Sequence, residues 1–149
     1  MTDEVVVRNK KAFFNYEILD RYEAGLALQG TEVKAIRDHK VNLKESYARV
    51  KNGEVWLEGC HIAPYRHGNL SNHEPLRPRK LLLHRREINK LIGVTERKGF
   101  TLVPIALYFK DGKVKVEIGV ARGKRLYDKR ETAKRKSADR DIQMELKRR

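Results

Sequence analysis

Two short turns constrain this chain more than any other feature. Asn52-Gly53 and Asp111-Gly112 each stand between runs in which apolar and polar residues alternate: 47–50 and 54–57 around the first, 102–108 and 114–120 around the second. Asn, Asp and Gly tolerate the positive φ that a two-residue hairpin turn requires. Strict alternation sends successive side chains to opposite faces, so each hairpin presents one dry and one wet face. A third strand-like stretch precedes them, with Phe14, Tyr16 and Ile18, then Leu26 and Leu28, alternating with polar neighbours; Gly25 and Gly30 punctuate it.

Helical patterning is confined to short segments. Ile88, Leu91 and Ile92 recur at i, i+3 and i+4, the spacing of a one-sided helix. His84 precedes it with Glu87 three residues on, the spacing of a capping box. Gly93 reads as a stop or break, with a further turn over 95–98. Residues 31–40 suit either a helix or a strand through Val33 and Ile36, with a helix favoured. Residues 64–78 hold three prolines, His67-Gly68-Asn69 and Ser71-Asn72, and read as a loop. Residues 1–11 read as a flexible arm. Several short antiparallel strands and one inserted helix in about 120 residues suggest a mainly β fold, a small OB-type antiparallel barrel over 12–121. Gly119 and Gly123 would then supply a hinge to a basic C-terminal tail, 122–149.

Charge then narrows the function. The 149 residues carry a formal net charge of +14, an excess suited to a polyanion. It is unevenly spread: 122–149 hold 12 Lys or Arg and 5 Asp or Glu, and 1–121 hold 22 and 15, so each part carries +7. In the tail, Ala138, Ile142 and Leu146 form a narrow stripe amid charge. Such a segment buries too little surface to fold alone, and it is expected to be a coil that becomes helical against phosphate. No apolar run is long enough to span a bilayer, so no membrane partner is expected. The single Cys60 leaves no intrachain disulfide and suits a reducing cytoplasm.

Enzymatic readings find little to stand on. His39, His61, His67, His73 and His84 fall in no metal-ligand spacing, and Cys60 and His61 are adjacent on a strand, facing opposite sides. No phosphate loop or nucleophile elbow is present. Neither a cofactor nor a metal is expected. The cations Arg77, Arg79 and Lys80, followed by Arg85 and Arg86 at a helix start, suit either a solvated loop or a phosphate contact. Of the three leucines that follow Lys80, Leu81 and Leu83, or else Leu82, would face inward. Glu23 and Glu32 are solubilising surface carboxylates or, alternatively, acceptors for base amino groups or a 2′-hydroxyl.

Blocks of sequence along the whole chain resemble the small protein B family, the bacterial partners of transfer-messenger RNA (tmRNA) in ribosome rescue. They are Asn9-Lys10-Lys11-Ala12; Tyr22-Glu23-Ala24-Gly25-Leu26-Ala27-Leu28-Gln29-Gly30-Thr31-Glu32-Val33-Lys34; Arg79-Lys80-Leu81-Leu82-Leu83-His84-Arg85-Arg86-Glu87-Ile88; Lys98-Gly99-Phe100-Thr101-Leu102-Val103-Pro104; and the stretch 119–130, ending in Tyr127-Asp128-Lys129-Arg130. The resemblance implies an OB-type barrel that binds the tRNA-like domain of tmRNA. Asn9, Lys10, Glu23, Lys34, Lys80, Leu82, His84, Arg85 and Lys124 would form the RNA-binding set. Tyr127, Asp128, Lys129 and Arg130 would act at the decoding centre, on 16S rRNA, with the rest of the tail in the empty mRNA channel. The free protein would be a cytoplasmic monomer. Two positions depart from the family's usual residues: His84 stands where Asn is common, and Tyr127 where His is common. A structural ribosomal protein or an initiation-factor-like OB module is the alternative of another class.

Overall fold

A computed structural model describes residues 4–65, 72–97 and 99–123. Both sequence-legible hairpins are present. β4 (Tyr47–Lys51) and β5 (Glu54–Glu58) turn at Asn52 and Gly53, with φ of 54° and 73°. β8 (Phe100–Lys110) and β9 (Lys113–Gly123) turn at Asp111 and Gly112, with φ of 51° and 76°. All four are positive, as a turn that follows the right-handed strand twist demands. The remaining main-sheet strands are β1 (Glu4–Arg8), β2 (Tyr16–Leu26) and β7 (Arg79–Leu82); β3 (Val41–Asn42) and β6 (His61–Ile62) pair separately.

The pairings close a ring. β8 joins β4, β4 joins β5, β5 joins β7, β7 joins β2, β2 joins β9, and β9 returns to β8, every pair antiparallel. Closure leaves these six strands without a long free edge. The seventh, β1, lies outside the ring on β8, with Arg8 opposite Ala106 and Glu4 opposite Phe109. Inside, Val55, Leu57, Leu81, Leu102, Leu107, Val116 and Ile118 are all but inaccessible. Each such side chain contributes roughly 1.5–3 kcal/mol relative to exposure.

Three short helices complete the fold: α1 (Lys10–Asn15), α2 (Gly30–Arg37) and α3 (Arg85–Thr95). α3 turns Ile88 and Leu91 into the core and begins with the expected capping box, in which the Glu87 carboxylate accepts the backbone N–H of His84 at 3.1 Å. Gly93 does not stop this helix, because intrahelical bonding runs on to Thr95 and the glycine only costs propensity.

Other sequence expectations are corrected. Residues 4–11 are no arm: the valine-rich β1 finds a partner in β8, and α1 follows, taking Phe14 into a helix. Gly119 is no hinge. It lies inside β9, where β2 and β8 each carry a bulge, around Leu19 and Ile105. A Cβ there would stand 2.7 Å from the Ile105 Cδ1 and 3.2 Å from the Ile18 Cγ2, so the glycine makes room where two bulged neighbours bend around it. Gly123 is the last residue of β9, opposite Tyr16, and the barrel therefore runs two residues past 121. The reading of a C-terminal tail, and the tip of the 64–78 loop, lie outside the described residues.

Candidate nucleic-acid interface

β7 decides which cations face outward. Its alternation sends Arg79 and Leu81 inward and leaves Lys80 and Leu82 outside, so an arginine is buried and a leucine is 51% exposed. Arg79 is tolerated inside because Glu32, at the first turn of α2 and itself fully buried, meets its Nε. The other guanidinium nitrogens donate to the carbonyls of Cys60 at 2.6 Å and Pro75 at 3.1 Å. Arg77 grips the second Glu32 oxygen, and Glu32 also accepts the Gln29 N–H at 2.7 Å. Burial pushes the Glu32 carboxyl up, but the hydrogen bonds from Arg77, Gln29 and Arg79 outweigh it and hold the group below its ordinary range. Glu32 and Arg79 are thus neither solubilising surface charge nor phosphate ligands; they tie α2 and the 72–78 segment to β7. Beside them, burial raises the Cys60 thiol to about 11, which keeps it unreactive. His73 is also structural, with its ring nitrogens 2.9 Å from the Thr31 hydroxyl and 2.8 Å from the Ile62 carbonyl.

The outward half of β7 builds a concavity of about 470 Å³ with neighbouring strands and the start of α3. Glu23 of β2, Lys80 and Leu82 of β7, His84 and Arg85 at the helix start, and Lys115 of β9 line it. Leu82 sits opposite Gly25, and a Cβ on that glycine would stand 3.3 Å from the Leu82 Cβ, so the missing side chain lets the leucine lie across β2. Glu23 is anchored: the Tyr108 hydroxyl donates to it, and Lys110 Nζ stands 3.3 Å away. The Tyr108 hydrogen bond and the Lys110 and Lys115 charges lower its carboxyl against a modest opposing desolvation, so it is an ionised acceptor at neutral pH. Arg85 donates to the Gly53 carbonyl at 2.8 Å, which pins the β4–β5 turn to α3. The assembled surface offers one fixed acceptor, several cations and an apolar step, and no metal-ligating cluster is found among the described residues.

A family model for SmpB protein matches residues 6–148. The chain belongs to the SmpB family. It is 61% identical over 140 residues to the SsrA-binding protein of Geobacillus thermodenitrificans, covering 94% of this chain and 90% of that one. It is 54% identical over 145 residues to the SsrA-binding protein of Carboxydothermus hydrogenoformans, covering 97% of each. A solved chain from a structure described as "tmRNA-SmpB: a journey to the center of the bacterial ribosome" is 49% identical and superposes with a TM-score of 0.68, over 85% of this chain and 93% of that one.

Of the residues expected to bind RNA, this SmpB-family barrel brings together Glu23, Lys80, Leu82, His84 and Arg85. It withdraws Asn9, which is 6% exposed: its amide donates to the Leu43 and Pro104 carbonyls, and its oxygen caps α1 at the Ala12 N–H. Lys10 opens α1 and Lys34 lies on α2, with its Nζ 5.4 Å over the Tyr65 ring; both are exposed, and neither lines the concavity. Lys124, Tyr127, Asp128, Lys129 and Arg130 lie outside the described residues. Sequence reasoning missed Lys115, Tyr108 and Lys110. The hairpin alternation puts these three on the wet face, but only the pairing of β2 with β9 places that face around Glu23.

Proposed function

We propose that this protein binds the tRNA-like domain of tmRNA and delivers it to stalled ribosomes for trans-translation, as a cytoplasmic binding factor with no bond-making step of its own. The observation that carries the reading is the convergence of Glu23, Leu82 and His84, with Lys80, Arg85 and Lys115, in one open concavity of the barrel of a chain whose relatives are SsrA-binding proteins. Folded RNA is recognised there by shape, phosphate contacts and a few polar side chains rather than by reading a duplex sequence. The ionised Glu23 accepts hydrogen bonds from a base amino group or a 2′-hydroxyl, Leu82 packs against a sugar or base, and His84 donates or stacks.

The second half of the net charge, in 122–149, has a separate task in this reading. Tyr127, Asp128, Lys129 and Arg130 engage 16S rRNA at the decoding centre, and the following residues occupy the mRNA channel, where rRNA phosphate is accessible only when message is absent. Vacancy thereby selects stalled ribosomes. Truncation after Arg125 tests the division: binding of the tRNA-like domain, read by filter retention, stays within about threefold of the full chain, while peptide tagging on stalled ribosomes is abolished. Glu23→Ala with His84→Ala does the reverse, weakening RNA capture with the melting temperature kept. Loss of RNA capture on truncation, or unchanged capture by the double variant, would refute the assignment.

A further inference from the structure

The wet face does not end at Leu82. Leu82 and Lys80 are two apart on β7 and share its outer face; Lys80 stands opposite Trp56 of β5, and Trp56 stands opposite Arg49 of β4. The row Leu82, Lys80, Trp56, Arg49 therefore crosses three strands of the barrel on the solvent side. Trp56 is half-buried and lines a second concavity of about 420 Å³ together with Arg49, Lys51, Glu54, Glu58 and Pro78. Glu54 lines both this concavity and the one around Glu23, so the two are neighbours across β5 and β7. Carboxylates hold the flanking cations beside the indole: Lys80 Nζ is 2.9 Å from Glu54, and Arg49 is 3.0 Å from Glu58. All four of these side chains keep some solvent access, so the pairs are weak and exchange readily with an incoming phosphate. The cation–ring contacts among the described residues cap Phe13, Tyr65 and Phe109, and none caps Trp56.

We propose that Trp56 is a stacking platform for an unpaired nucleotide of the RNA bound at the Glu23–Leu82–His84 surface, with Arg49, Lys51 and Lys80 taking the flanking phosphates. The inference rests on the RNA-binding reading above and extends it across β7. An indole on a wet strand face between cations is the arrangement that holds single-stranded nucleotides irrespective of base, because every base has a π-face. Its closeness to the first concavity, through the shared Glu54 and the pairing of Trp56 with Lys80, favours the same RNA chain as the occupant.

Trp56 is the single tryptophan of the protein, so its fluorescence reports on this position alone. The full chain is titrated with tRNA-like-domain RNA, excited where only indole absorbs, and binding is followed in parallel by filter retention. Stacking quenches the emission and removes acrylamide access at the same RNA concentration that saturates retention. Trp56→Ala weakens retention about tenfold, whereas Trp56→Phe, which keeps an aromatic face, stays within about threefold. Retention with unchanged emission and unchanged acrylamide access overturns this inference and leaves the RNA-binding reading standing. Trp56→Ala binding as tightly as the parent overturns it as well. No retention at all overturns both readings. If Trp56→Ala unfolds, the quenching of the unaltered chain still decides.

Discussion

Replacing Glu32 by alanine strips Arg79 of its carboxylate partner while leaving the guanidinium fully buried between α2 and β7. Arg79 would keep its carbonyl partners at Cys60 and Pro75, but these neutralise no charge. Breaking a buried ion pair by deleting one member costs about 3–5 kcal/mol. For a barrel of this size, that corresponds to a fall in melting temperature of roughly 10–20 °C. The measurement is thermal unfolding by circular dichroism, together with urea denaturation at pH 7. A double replacement, Glu32→Met with Arg79→Met, should lose less than Glu32→Ala alone, since it removes both charges and fills the space. Acid adds an independent check. The Glu32 carboxyl is held below its ordinary 4.5 in the fold, so its contribution is present above that value and drains away as pH falls through the depressed one. Glu32→Gln should flatten this part of the acid limb. A melting shift under about 3 °C for Glu32→Ala, with the double variant no better, would refute the view that this pair holds the 72–78 segment in place.

Asn9→Ala should cost about 1–3 kcal/mol by urea denaturation, because it removes the α1 cap and the amide's buried bond to the Pro104 carbonyl, whereas the Leu43 carbonyl keeps the Ser46 N–H and hydroxyl as donors; RNA affinity of the remaining folded protein should be unchanged. Gly59→Ala should destabilise by at least about 2 kcal/mol, since φ there is +73° and the new Cβ would meet the Glu45 carbonyl oxygen at 2.6 Å. Tyr108→Phe deletes the largest influence lowering the Glu23 carboxyl, so its titration midpoint by NMR should rise toward 4.5 while the fold persists. The pH at which Glu23 stops stabilising the native state rises with it; an unmoved midpoint would discount the hydrogen bond.

What was legible from sequence was what local chemistry decides. The Asn52-Gly53 and Asp111-Gly112 turns fix two hairpins because the residues that tolerate positive φ are few, and the i, i+3, i+4 spacing of Ile88, Leu91 and Ile92 needs no partner to be recognised. What was hidden depends on partners far along the chain. Residues 4–8 become a strand only because β8 is long enough to pair with both β1 and β4 along one edge. Arg79 reads as a surface cation until a buried carboxylate 47 residues away is placed against it. Asn9, which the resemblance puts in the RNA-binding set, is withdrawn for the same reason, since its amide partners lie at 43 and 104. The candidate site divided along this line. Resemblance marked Glu23, Leu82 and His84, but the tyrosine and lysines that set the charge of Glu23 came from β8 and β9.

The uninterrupted register of β9 has a metrical consequence. Its neighbours absorb the bulges, so between Lys115, which lines the Glu23 concavity, and Gly123, its last residue, the strand counts eight regular steps. At about 3.3 Å per step, the two points lie roughly 26 Å apart. On the proposed function, β9 is in effect a ruler, laid between the surface that would hold tmRNA and the root of the segment that would act on the ribosome. A rigid spacing of this kind transmits position rather than affinity. Adding a pair of residues to β9 past Gly123 would move the root by about 7 Å while leaving the pairing with β2 and β8 in register, and in the proposed reading it would separate capture from delivery.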